Sequence, residues 1–264
     1  MNSRELAEVV ERIHQALLEA GRVLDRFTPG EIEAEYKAGY DPVTEADRAV
    51  DTKLRQSLLR SDEGWLSEET VDDRSRLGKR RVWIVDPLDG TREFVAGIPE
   101  FCVSVAMVDE GRPVAGGILN PAKHEIFLGS ETSGVTYNGK AAHTGAKTAL
   151  QDAVVLASRS ESGRGEWKPF ENASFKVQPM GSVAYKLALV SAGLADATFT
   201  LTPKHEWDVA GGVALVESGG GVVRTLDDRP LRCNQASPKI AGLIACSPGV
   251  IEELKAVIQA SSVR

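Results

Sequence analysis

The sequence predicts a layered α/β fold, with an N-terminal α+β half over residues 1–150 joined to a C-terminal α/β half over residues 151–264. Three patterns carry that prediction. Apolar residues recur at helical spacing near the N-terminus, short Val- and Ile-rich runs follow from Val82 to about Gly129, and beyond Lys147 strand-like and helix-like segments alternate. Such alternation places helices on the faces of sheets. No repeat or low-complexity tract interrupts the sequence, and 264 residues are enough to bury a sizeable core.

In chain order, Leu6, Val9, Val10, Ile13, Leu17 and Leu24 share one helical face, so residues from about Ser3 to about Phe27 read as an amphipathic helix, closed by the breaker "TPG". A second helix is expected after Thr44, with Ala46, Val50, Leu54 and Leu58 on one face. The runs "VWIV", "FCVSVAMV", "PVAGGIL" and "EIFLG" read as strands of a meander, punctuated by the turn signals "DEG" and "YNG". After Lys147 come the strand "AVVLAS", the helix "SVAYKLALVSAG", the strand "ADATFTL" and a helix beginning near Trp207. The strands "GVVRTL" and "IAGLIAC" and a last helix from about Val250 complete the chain.

A formal net charge of −7 argues against binding a nucleic acid polymer, which needs basic stripes to displace counterions. An acidic protein that handles anions needs a local device such as a metal ion. Cys102, Cys233 and Cys246 are odd in number and widely spaced, which suits buried thiols in a reducing compartment. No apolar run approaches the roughly 18 residues of a membrane span, so a soluble cytoplasmic protein without a membrane partner is expected. The glycines of "GGVALVESGGG" include no GxGxxG and lie at a helix end before a strand, which argues against a dinucleotide-binding oxidoreductase.

Four separated segments offer carboxylates beside apolar or glycine-rich sequence: "PVTEAD" with Asp47, "WLSEET" with Glu68 and Glu69, "VDPLDGT" with Asp86 and Asp89, and "HEWDVAGG" with Glu206 and Asp208. Each has an ordinary reading. "DPLDG" is a turn former, Thr44 and Asp47 suit a helix start, Glu68 and Glu69 suit a solvated loop, and Asp208 suits a helix cap. Together they suit a site for hard divalent cations, which take oxygen ligands from several chain segments. In that reading Pro87 fixes the backbone, Leu88 turns its carbonyl inward, and Gly90 lets the chain approach an anion.

"DPLDGT" and "WDVAGG", in this order, resemble the two signature motifs of the inositol monophosphatase family of metal-dependent, lithium-sensitive phosphatases. "PVTEAD" and "SEET" fall where that family has its other acidic segments, so the resemblance spans roughly residues 5–260. It implies an alternating α-β-α-β-α layered sandwich and a phosphoric monoester hydrolase using two or three Mg²⁺ ions per active site. It also implies that Glu68, Asp86 and the Leu88 carbonyl bind one Mg²⁺, while Asp86, Asp89 and Asp208 bind a second. Asp47, Thr91 and Glu68 form the implied catalytic set, with Thr91 and Asp47 orienting and deprotonating the attacking water. The backbone of Gly90 and Thr91 would hold the phosphate oxygens. A non-catalytic sensor on the same fold should have lost part of this set, and none of it is missing.

The resemblance also bears on the substrate, a small phosphate ester. Inositol phosphatases usually carry a glutamate seven residues before the second-motif aspartate, where this sequence has Leu201. "LDGTREF", "KAGYDPVT", "SRS" at Ser158 to Ser160 and "PKHEWD" look more like the 3'(2'),5'-bisphosphate nucleotidase branch. Implied substrate contacts are Gly90, Thr91, Gly181, Ser182, Lys186 and Glu206. Lys186 stands one place later than in that branch, and Glu161 replaces a histidine. Lys186 also fits a snorkelling helix residue, and Arg159 and Lys204 fit either a second-phosphate contact or solvated surface. A homodimer is expected from the family, and "PVAGGIL" fits either its interface or an internal strand.

Overall fold

A computed structural model describes residues 1–36 and 42–261. Helix α1 (Ser3–Leu24) opens on a capping box between Asn2 and Glu5 and buries Leu6, Val9, Ile13, Ala16, Leu17, Ala20 and Leu24. It stops three residues short of Phe27. The short antiparallel pair β1 (Glu35–Tyr36) and β2 (Pro42–Val43) precedes α2 (Glu45–Leu58), which starts at a second capping box formed by Thr44 and Asp47. Ala46, Val50, Leu54 and Leu58 are buried, as their spacing predicts.

The next strands are β3 (Gly64–Ser67), β4 (Arg81–Asp89), β5 (Cys102–Asp109), β6 (Arg112–Asn120), β7 (Glu125–Ser130), β8 (Gly134–Tyr137) and β9 (Lys140–Ala142). They form one sheet in chain order, β3 parallel to β4 and every later pair antiparallel. A short helix, α3 (Thr91–Val95), follows β4.

The rest of the chain contributes β10 (Val154–Ser158), α4 (Arg159–Gly163), β11 (Lys176–Met180), α5 (Val183–Ser191), β12 (Ala197–Thr200), β13 (Lys204–His205), α6 (Glu206–Ser218), β14 (Val222–Thr225), β15 (Lys239–Ile240), β16 (Leu243–Cys246) and α7 (Ile251–Ser261). The second sheet has the order β11-β10-β12-β16-β14, with β10 parallel to β11 and β12 and β16 antiparallel to β12 and β14. β13 and β15 pair separately, antiparallel.

Alternate residues of each strand feed different layers. Trp83, Val85, Val103 and Val105 pack with α1 and α2, whereas Val82, Ile84, Cys102 and Ala106 pack with α5 and α6 on the other face. α5 and α6 also meet Leu156, Val223, Leu243 and Ala245 of the second sheet. The opposite face of that sheet, with Val155, Phe199 and Ile244, is covered by Leu254 and Ile258 of α7 together with Trp167 and Phe170. The layers therefore run α-β-α-β-α.

α6 lies unusually close on the first sheet because glycines face each other there. A Cβ on Gly116 of β6 would sit 2.4 Å from the Gly211 carbonyl, and one on Gly211 would sit 2.6 Å from Ser104 Oγ. This brings the first turn of α6 down to the end of β4.

Several sequence expectations change. β3, β8, β9 and β11 escape the periodicity. β11, "KVQPM", carries Pro179 and lies at a sheet edge, where a missing N–H costs no ladder bond. "PVAGGIL" is the internal β6, buried between β5 and β7 and covered by α1 and α6, which excludes it as an interface strand. The three cysteines are buried and free. Among the described residues no helix is long and apolar enough to cross a membrane.

Candidate active site

Strand β4 carries Asp86 just past the end of its parallel neighbour β3, whose pairing stops at Val85. Pro87 offers no N–H, and the register with β5 shifts between Asp86 and Asp89, a bulge that redirects the side chains. The Leu88 amide donates to Asp86 Oδ1 at 3.0 Å. Gly90 then adopts φ +96°, and a Cβ there would lie 2.8 Å from the Glu100 carbonyl. The chain turns into α3, where the Thr91 hydroxyl lies 3.0 Å from Asp47 Oδ1 and 2.9 Å from the Leu88 carbonyl.

Asp47 serves two purposes. Its Oδ2 accepts from the Thr44 amide at 2.7 Å and the Thr44 hydroxyl at 2.6 Å, completing the α2 cap and leaving Oδ1 for Thr91. Burial pushes its carboxyl above the ordinary value, against these hydrogen bonds.

Glu68, just past β3, converges with Asp86 and with Asp208 on the first turn of α6. One carboxylate oxygen from each lies within 4.8 Å of the others. Burial and then the neighbouring charges of Glu68, Asp89 and Asp208 push Asp86 far up, and burial with Asp89 and Glu68 does the same to Asp208. Asp208 keeps its orientation through Oδ2, which accepts from the His205 amide at 2.8 Å. Oxygen-only donors held together against mutual repulsion suit a hard divalent cation, which would relieve that repulsion.

Asp89 stands outside this trio. Its Oδ2 accepts from the Ser182 hydroxyl and the Ala184 amide, each at 2.6 Å, so Oδ1 remains for the cleft. Behind Glu68, Asp51 of α2 accepts from Ser67 at 2.5 Å and Thr70 at 2.8 Å, tying the acidic loop to the helix that carries Asp47. Asp51 lies one turn beyond Asp47 on α2, a spacing that could have marked it in the sequence.

The cleft above these carboxylates has a volume of about 350 Å³, within the range of small-ligand sites. Gly90, Thr91, Gly181 and Ser182 line it, and Arg159 and Lys204 form its basic wall. Arg159 pairs with Glu100 and lies 3.6 Å from Glu93. Lys204 Nζ lies 3.3 Å from Glu161 Oε1 and 3.1 Å from Thr202 Oγ1. Glu161 is wholly buried and also accepts from Trp167 Nε1, so the residue replacing a histidine holds the wall together. The His205 and Trp207 rings stack at 4.4 Å beside Lys204, a pairing that sequence reading missed.

The other two expected substrate contacts fall in different places: Lys186 lines the cleft, whereas Glu206 does not. Lys186 is fully buried at the cleft wall, and its ammonium donates to the carbonyls of Ser182 at 2.7 Å and of Met180 and Gly181 at 3.3 Å. These bonds tie its ammonium to the backbone around Ser182, which adopts φ +52°. Burial lowers its pKa to about 8, opposed chiefly by Asp89. Glu206 is buried outside the cleft and accepts the amides of Asn234 at 2.7 Å and Gln235 at 2.9 Å. Helix residues two apart point to different faces, so Glu206 cannot share the direction of Asp208. Leu201 packs against the core beneath α7. Of "KAGYDPVT", residues 37–41 lie outside the described residues.

Residues 5–262 match the inositol monophosphatase family. The chain is 33% identical over 258 residues to an inositol-1-monophosphatase of Rhizobium meliloti, covering 93% of this chain and 94% of that protein. Among solved structures it superposes on an inositol monophosphatase of Thermotoga maritima with a TM-score of 0.80 at 27% identity, over 94% and 95% of the two chains. It also superposes on CysQ of Bacteroides thetaiotaomicron with a TM-score of 0.74 at 27% identity, over 90% and 96%. With its layers, motifs and full-length similarity in agreement, the chain belongs to the inositol monophosphatase family and is a phosphatase, a hydrolase of phosphate esters.

Proposed function

We propose that the protein is a Mg²⁺-dependent phosphomonoesterase acting on 3'(2'),5'-bisphosphate nucleotides, converting adenosine 3',5'-bisphosphate to AMP and phosphate. The observation that carries the substrate is the basic wall: Arg159 and Lys204 line the cleft that has the acidic trio at its floor. A substrate with two phosphates could place one at the acidic end and the other at these cations. The packing of Leu201 into the core supports this, since no carboxylate stands there to receive inositol hydroxyls.

In this reading Glu68, Asp86 and the Leu88 carbonyl hold one ion, and Asp86, Asp89 and Asp208 hold a second, with Asp86 shared. When bound, the ions supply charge neutralisation for the entering and leaving oxygens and acidify water. The remaining work falls to the chain. Asp47 Oδ1 receives the Thr91 hydrogen, leaving a Thr91 lone pair to accept from a cleft water and aim it at phosphorus. The amides that follow Gly90 approach the phosphate oxygens. Glu161 and Thr202 hold Lys204 at the wall, and Glu100 holds Arg159. A homodimer remains part of the proposal.

A second reading, hydrolysis of inositol 1-phosphate, is favoured by the Rhizobium meliloti relative, which is named an inositol-1-monophosphatase. Phosphate release from adenosine 3',5'-bisphosphate, inositol 1-phosphate and fructose 1,6-bisphosphate, with and without Mg²⁺, separates the two. Preference for the nucleotide supports the proposal, preference for inositol phosphate replaces it with the second reading, and no Mg²⁺-dependent release from any of them overturns both.

A further inference from the structure

Two segments that bear carboxylates of the trio converge on one partly buried network away from the cleft. From the Glu68 loop, Asp72 receives Arg76 Nε at 3.1 Å and Nη2 at 2.8 Å. Arg76 is fully buried and also donates to Asn234 Oδ1 at 2.7 Å and to the Gln235 carbonyl at 3.0 Å, while Asn234 Nδ2 returns a bond to the Arg76 carbonyl at 3.3 Å. From α6, Glu206 receives the amides of the same two residues, Asn234 and Gln235. Glu206 stands two residues before Asp208, and Asp72 four residues after Glu68.

Burying a guanidinium and a carboxylate costs more than burying apolar groups of similar size, so such a network contributes geometry more than stability. Geometry is what the trio requires. Three carboxylates within 4.8 Å push one another apart until a cation arrives, and only rigid carriers keep them converged. At the Asn234–Gln235 segment the carriers of Glu68 and Asp208 are pinned to the same two residues. Asn234 itself holds φ +60°, a left-handed conformation that asparagine tolerates.

We infer that Arg76, Asn234 and Glu206 are positioning residues that fix the separation of Glu68 and Asp208 and thereby set affinity for the divalent ion. The inference rests on the reading of the trio as a metal site under the proposed function. It assigns Glu206 a part in the reaction without substrate contact.

The test is Mn²⁺ binding to the full chain, followed by calorimetry and by the electron paramagnetic resonance of free Mn²⁺, in wild type, Asn234→Gly and Glu206→Gln. Asn234→Gly keeps the left-handed backbone and the amide to Glu206 while deleting both side-chain bonds to Arg76. Glu206→Gln leaves one amide without its acceptor. Loss of partners behind metal ligands weakens binding by about 10- to 100-fold, and a shift of about 10-fold or more is expected in both variants, with substrate KM at saturating metal unchanged. Unaltered Mn²⁺ affinity alongside a lowered thermal midpoint would show a purely structural network and overturn the inference. A wild type that binds no Mn²⁺ overturns it together with the metal site. A wild type that binds Mn²⁺ but hydrolyses no phosphate ester defeats the proposed function alone, and the comparison of affinities still decides the inference.

Discussion

The single hydroxyl hydrogen of Thr91 faces two acceptors, Asp47 Oδ1 at 3.0 Å and the Leu88 carbonyl at 2.9 Å, and can serve only one at a time. If the Leu88 carbonyl turns to an ion, the hydrogen passes to Asp47 and a Thr91 lone pair is left for water. Thr91→Val removes that relay at nearly constant shape. Positioned proton transfer contributes roughly 10²- to 10⁴-fold, so kcat should fall by about 100-fold or more, while Thr91→Ser keeps most of it. Turnover by Thr91→Val near that of wild type would remove Thr91 from the water's path.

Asp89→Asn tests the proposed ligand that stands apart from the trio. The asparagine oxygen can still accept from Ser182 and Ala184, which leaves an amide NH₂ facing the cleft where a carboxylate oxygen stood. The fold should persist, with a thermal midpoint close to wild type, and phosphate release should drop by at least about 100-fold through loss of a ligand charge. Full activity in steady-state assays of this variant would refute the assignment of Asp89 to a metal.

Lys204→Met should separate the two substrate readings. Hydrogen bonds to charged groups contribute about 1.5–3 kcal/mol, so KM for adenosine 3',5'-bisphosphate should rise by roughly 10- to 100-fold, with inositol 1-phosphate hydrolysis changed little. Equal losses with both substrates would assign Lys204 to holding Glu161 instead of binding a second phosphate.

The raised carboxyls of Asp86 and Asp208 make stability of the metal-free protein depend on pH. A carboxyl whose folded pKa stands above its unfolded value of 3.8 takes up a proton on folding. It favours the fold below that value, and the contribution is lost as pH rises through the raised pKa. The thermal midpoint without metal should therefore fall from about pH 5 to about pH 8, and Mg²⁺ should raise it more at the higher pH, where fewer protons compete for the site. A Mg²⁺ response equal at both pH values, read by calorimetry, would contradict the convergence of these groups.

The convergence of the acidic residues was legible in the sequence because turn chemistry encodes part of it locally. Pro87 and Gly90 announce the bulge and the left-handed turn that redirect Asp86, Asp89 and Thr91, and "WDVAGG" carries the small residues that let α6 approach β6. The substrate side was less legible because direction decides it. Lys186 lies on a helix apolar all round, so periodicity could not show that its ammonium turns back onto carbonyls. Glu206 sits beside Trp207 and near Asp208 in sequence but points away from the cleft. The layered fold was legible from alternation, whereas β11 was hidden by Pro179 and β3 by its shortness and acidic neighbours.

The close seat of α6 on the first sheet invites a packing test. Gly116→Ala drives a methyl toward the Gly211 carbonyl, and overpacking of this kind costs about 1–3 kcal/mol. The same displacement would lift Asp208 from Glu68 and Asp86, so a chemical denaturation midpoint and Mg²⁺ dependence should worsen together. A variant with lowered stability and unaltered Mg²⁺ dependence would uncouple helix seating from the site.

Because Asp208 reaches the trio only after the crossing from one sheet to the other, no one of these segments supplies the whole trio by itself. During synthesis the growing chain would expose Glu68 and Asp86 long before Asp208 emerges, and closing so long a loop comes late in folding. Ion capture would then act as a completion signal: truncated or half-folded chains would stay metal-free, prone to proteolysis, and catalytically silent.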